Sequence, residues 1–74
     1  MKPRKLELSD DPELGQCFID VTDDAKVVFL GWDHEPSKLA TIYDLGEDAV
    51  TYAHPENLQW MEGETRPDVI EKLL

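Results

Sequence analysis

Apolar and polar residues alternate along most of this chain, and the alternation is interrupted by turn signals about every eight to twelve residues. Gln16 to Thr22 reads as a strand, with Cys17, Ile19 and Val21 on one face and Phe18, Asp20 and Thr22 on the other. Asp23-Asp24 is a turn signal, and Lys26 to Trp32 follows as the most apolar run. Val27, Val28, Phe29 and Leu30 make both faces of that run apolar, which predicts a central strand covered on both sides. The short connection makes the two runs a β-hairpin. Gly31, inside the second run, marks a bulge or a sharp bend.

After the polar loop Asp33-His34-Glu35-Pro36-Ser37, alternation resumes from Lys38 to Leu45. Gly46-Glu47-Asp48 turns the chain into a fourth strand, Ala49 to Ala53, with Val50 and Tyr52 on one face. Pro55 ends it, and Pro55-Glu56-Asn57 reads as one 3₁₀ turn. Leu58-Gln59-Trp60 is a last short strand, and Gly63 breaks the pattern. Thr65-Arg66-Pro67-Asp68 matches a capping box, with Thr65 as the cap. Val69, Ile70, Leu73 and Leu74 then fall at helical spacing, predicting a two-turn helix that must dock to be stable. No internal repeat is visible.

These elements predict a mainly β fold: a small antiparallel barrel over 15–62, preceded by a flexible leader over 1–14 and followed by a docked C-terminal helix over 63–74. Ser9-Asp10-Asp11-Pro12-Glu13 separates leader from body. Residues 15–61 resemble the SH3-like small barrels, the group that includes Tudor and KOW-type domains. The resemblance rests on a hairpin ending in Phe29-Leu30-Gly31-Trp32, two strands joined by Leu45-Gly46-Glu47-Asp48, and Val50-Thr51-Tyr52 running into Pro55-Glu56-Asn57-Leu58. It implies a one-turn helical step before a short fifth strand. It implies no particular function.

Charge changes the picture more than any motif does. The 74 residues carry 17 Asp and Glu against 7 Lys and Arg, a net charge of -10. Lys2, Arg4 and Lys5 crowd the beginning of the chain, which leaves a basic tip on an acidic body. Such a body repels nucleic acid and anionic membrane, and it attracts basic surfaces. Acidity also serves plain solubility. No apolar stretch follows the basic tip, so the reading expects no signal peptide, no membrane span and a cytosolic location. Cys17, the only cysteine, excludes an intrachain disulfide and reads as a buried small apolar residue.

Candidate chemistry is sparse. Asp33-His34-Glu35 and His54-Pro55-Glu56 each set a carboxylate beside an imidazole, but no spacing brings His34 and His54 together as zinc ligands. No glycine-rich loop opens a helix, and Cys17 has no orienting base nearby. The expectation is therefore no catalytic residue, no cofactor and no metal. Trp32, Tyr43, Tyr52 and Trp60 could form an aromatic cage for a methylated cation, or could fill a small core that needs large rings. Trp32, beside a strand glycine and a charged loop, suits either a binding anchor or a plug at the barrel end.

The acids gather at the turns, where Asp is favoured in any case: Asp23-Asp24, Asp33/Glu35, Glu47-Asp48 and Glu62/Glu64. The reading that follows is a non-catalytic module that binds a basic protein surface through Trp32, Asp33, Glu35, Glu47, Asp48 and Tyr52. Such a module suits a regulator or inhibitor of a nucleic-acid-handling enzyme. Small phage and mobile-element proteins that act on host transcription or defence offer an analogy. A DNA mimic, an aromatic-cage reader and a metal-dependent enzyme are the alternatives.

Overall fold

The computed structural model describes residues 4–33 and 38–74. Five antiparallel strands form one sheet: β1 (Gln16–Asp20), β2 (Ala25–Trp32), β3 (Ala40–Asp44), β4 (Ala49–Ala53) and β5 (Leu58–Thr65). Their order in the sheet is β4-β3-β2-β1-β5, so the last strand returns to pair with the first. A 3₁₀ turn, Pro55–Asn57, sits between β4 and β5, and a helix, α1 (Pro67–Leu73), ends the chain. This is the order of elements that the SH3-like resemblance implies.

Two apolar clusters lie on the two faces of the sheet. The inner one joins Phe18, Val27, Phe29, Ala40, Ile42, Ala53 and Leu58 with Leu6. All five strands feed this one cluster, including β4 and β5 from the opposite edges, which requires the sheet to curl around it. Phe18 anchors it, with ring centroids 4.8 Å from Trp60 and 6.1 Å from Phe29. The outer cluster joins Cys17, Val28 and Tyr43 with Val69 of α1. Alternation thus places Val27 and Phe29 inside and Val28 outside, and β2 is covered on both faces as its sequence requires. Cys17 is fully buried, and that burial pushes its thiol pKa up.

Glycines bend the sheet at two points that matter. At Gly31 (φ 136°) the β2–β3 register shifts, and the strand bends there. Gly15 (φ 98°) donates to Phe29 O and accepts from Arg66 N at 2.8 Å. A Cβ there would lie 3.4 Å from Arg66 O, so no other residue fits that crossing without strain.

Three expectations need correction. The leader is tied to the body rather than loose: Leu6 is only 2% exposed, and the Trp32 indole N–H donates to Asp10 O at 3.1 Å. β5 does not stop at Trp60. Two steps along β1 match five along β5, so Met61 to Glu64 bulge outward before Thr65 rejoins Gln16. The Gln16 side-chain amide fills the bulge, donating to Met61 O, Glu64 O and Cys17 O at 2.9, 3.2 and 3.1 Å. Because Thr65 belongs to this ladder, it cannot cap α1. Arg66 occupies the cap position without a side-chain cap bond, and Pro67 starts the helix. Asp68 turns to the Arg66 guanidinium instead, accepting from Nε and Nη2 at 3.0 and 2.9 Å. The apolar stripe of α1 docks chiefly through Val69, and Leu74 is exposed.

A candidate acidic binding site

Two of the hairpins turn by the same device. Asp20-Val21-Thr22-Asp23-Asp24-Ala25 and Asp44-Leu45-Gly46-Glu47-Asp48-Ala49 share one pattern: Asp, aliphatic, small, acid, Asp, Ala. In each, the first Asp pairs with the Ala across the ladder. In each, the last Asp takes a left-handed conformation, φ 56° at Asp24 and 54° at Asp48. The first Asp closes the turn through its carboxylate. Asp20 Oδ1 accepts from Thr22 N and Thr22 Oγ1 at 3.0 and 2.6 Å. Asp44 Oδ1 accepts from Gly46 N and Glu47 N at 2.9 and 3.1 Å. Asp favours such a position because its side chain imitates a backbone turn.

The two turns border one cleft of about 430 Å³, lined by Asp20, Asp23, Asp44 and Glu47 together with Ile42, Thr51 and Tyr52. Asp20 and Asp44 are accounted for by the turns they close. Asp23 and Glu47 have no such duty: neither carboxylate accepts a hydrogen bond or an ion pair from any described residue. Four of the six described cations are used elsewhere. Arg4 meets Asp10 and Glu62 at 2.7 and 3.4 Å, Lys26 meets Glu64, Arg66 meets Asp68, and Lys72 meets Asp48 at 3.0 Å. Hydrogen bonding to Glu64 raises the Lys26 pKa, and the Arg66 hydrogen bond lowers that of Asp68. The cleft thus gathers four acidic side chains, and no lysine or arginine is among its described lining residues.

Beside the cleft runs β4. Val50 and Tyr52 are 52% and 57% exposed, and they stand on the face away from Ile42 because Thr51 is the residue paired with it. Glu47 and Tyr52, both expected from the sequence as contact residues, are among the residues lining the cleft. Asp48, named with them, holds the left-handed turn position and pairs with Lys72. Trp32 and Asp33 belong to a second hollow of about 210 Å³, with Leu8 and Lys38. No residue lines both. Trp32 is half-buried there, packed edge-on against Phe29 with ring centroids 5.6 Å apart. Glu35 and His34 lie outside the described residues. Asp20 and Asp44 lead the residue-type pattern that the two turns share.

The four aromatics do not assemble into a cage. Trp60 packs on Phe18 in the inner cluster, while Tyr43 lies on the outer face under Lys72. Among the described residues no group of three or more His, Cys, Asp or Glu is arranged to hold a metal ion. No described helix is long and apolar enough to cross a membrane. Comparison with protein-family models, with curated proteins and with solved structures finds no match. Fold and site define a small five-stranded antiparallel β domain with an acidic cleft between paired turns.

Proposed function

We propose that this chain is a non-catalytic binding module whose acidic cleft docks a basic surface of another protein. The observation that carries this reading is the pair Asp23 and Glu47: two carboxylates on one cleft that hold no turn and pair with no described residue. Uncompensated like charges cost stability unless something of opposite charge arrives. Carboxylates at a rim also steer encounter with a cationic patch and fix its register. Val50 and Tyr52, exposed on the other face of β4, supply apolar area where an interface extends past that edge. Many basic surfaces belong to proteins that handle nucleic acid, and the module acts on such an enzyme as a regulator or inhibitor.

The test is affinity capture from a lysate of the natural host, with nuclease present and washes at low salt and at about 0.5 M salt, where exposed charge pairs are largely screened. The bait is run beside its Asp23→Asn/Glu47→Gln variant. The expected result is one stoichiometric basic partner that the native chain retains and the variant loses. The same set of proteins on both baits contradicts the reading.

A further inference from the structure

We propose that β4 pairs along its free edge with an extended basic segment of the partner, which joins the sheet as an added strand beside the acidic cleft. This rests on the basic-partner reading above and specifies how the partner is held.

The chain itself shows how one of its edges is served. Outside β5 runs the segment Arg4 to Leu6. Leu6 N donates to Leu58 O at 2.9 Å, Trp60 N donates to Arg4 O at 2.8 Å, and Lys5 bridges Gln59. Leu6 is buried in the inner cluster, and the Arg4 guanidinium lies 4.2 Å from the Trp60 ring centroid. One edge of this acidic sheet therefore already carries a short extended segment with two cations and one apolar anchor.

The other edge, β4, has no strand beyond it among the described residues. Four of its five residues are exposed. Natural sheets protect bare edges with proline, lysine, a bulge or an inward charge. β4 has none of these: its sequence is Ala49-Val50-Thr51-Tyr52-Ala53, and its register with β3 is continuous over all five pairs. Such a strand is a template for strand addition, where the backbone supplies affinity and alternate side chains supply specificity.

Charge selects the occupant. A second copy carries the same net charge of -10, and like charges oppose its approach. A segment with cations at alternate positions sets one row of side chains toward the carboxylates of the cleft. The exposed Val50 and Tyr52 side chains, on the other face of β4, meet the alternate apolar row of the segment.

The probe is a peptide of about seven residues alternating Arg and Val, long enough to span β4. Its analogue methylated at every backbone nitrogen keeps the charge but cannot donate to a strand. Binding of both is measured, together with amide hydrogen exchange of residues 49–53. The expected result is slowed exchange in β4 with the parent peptide, and binding of the methylated analogue at least ~10-fold weaker. Equal affinity of the two peptides, or protection away from β4, overturns strand addition while leaving the basic-partner reading standing. Failure of both peptides to bind overturns both.

Discussion

Gln16 shows how much a single side chain decides here. It is 6% exposed, and its amide donates to two carbonyls of the β5 bulge, those of Met61 and Glu64, and to Cys17 O of its own strand. Gln16→Leu keeps the volume and removes the donors, leaving buried acceptors without partners. It should destabilise the fold by about 1–3 kcal/mol in denaturant unfolding. A smaller loss would mean that water replaces the amide. The turn acids divide by the same logic. Asp44 is 8% exposed and holds two backbone N–H groups, so Asp44→Ala should cost ~1–2 kcal/mol. Asp23→Asn, which removes a charge that holds nothing, should change stability by less than ~0.5 kcal/mol. The same unfolding experiment checks both, and a large cost at Asp23 would assign it a structural role. At Asp68 the Arg66 guanidinium favours the charged carboxylate, so its folded pKa lies below the ordinary value of 3.8. Its contribution to stability is therefore complete above the ordinary value, and is lost as pH falls through the depressed folded one. Carboxyl titration by NMR should find that depression in the native chain and not in Arg66→Gln.

At the scale of elements, alternation and punctuation made much of the sheet legible. β4 lies where its alternation and Pro55 put it, and the 3₁₀ turn is the one written in Pro55-Glu56-Asn57. The rest was hidden because long-range pairing overrides local signals. Gly63 reads locally as a breaker, yet with φ 76° it serves a bulge inside β5. Thr65 reads as a helix cap, yet pairing with Gln16 keeps it in the strand. Leu6 sits in a charged leader, and only the exposed outer edge of β5 makes it core. Leu6→Ala should therefore cost ~2–4 kcal/mol, as a core position does, rather than the near-zero cost of a loose terminus. Thermal unfolding separates the two outcomes. Part of the cleft could have been found earlier. The two Asp-led turns carry the same six-residue pattern, and a repeat that short is visible only when the hairpins are aligned on their turns. Glu47 and Tyr52 were legible as charge and ring; their meeting in one cleft depends on how the sheet curls.

The whole molecule is a small sheet whose two edges are treated differently. One edge carries the basic N-terminal segment, pinned by Arg4 to Asp10, Glu62 and the Trp60 ring. The other is bare and borders the uncompensated carboxylates. A net charge of -10 attracts any polycation to some extent, so affinity alone does not establish a site. Position does. Glu13 and Glu71 are exposed, unpaired among the described residues and absent from the cleft. Glu13→Gln/Glu71→Gln therefore removes the same charge as Asp23→Asn/Glu47→Gln without touching the cleft. The decisive measurement is the dissociation constant for the Arg–Val peptide of native chain and both double variants at one salt concentration. A specific site predicts about tenfold weaker binding for the cleft variant, a loss of ~1.4 kcal/mol, and near-native binding for the other. Equal weakening of the two would show that the chain attracts cations only by its net charge, and would contradict the assignment of the cleft.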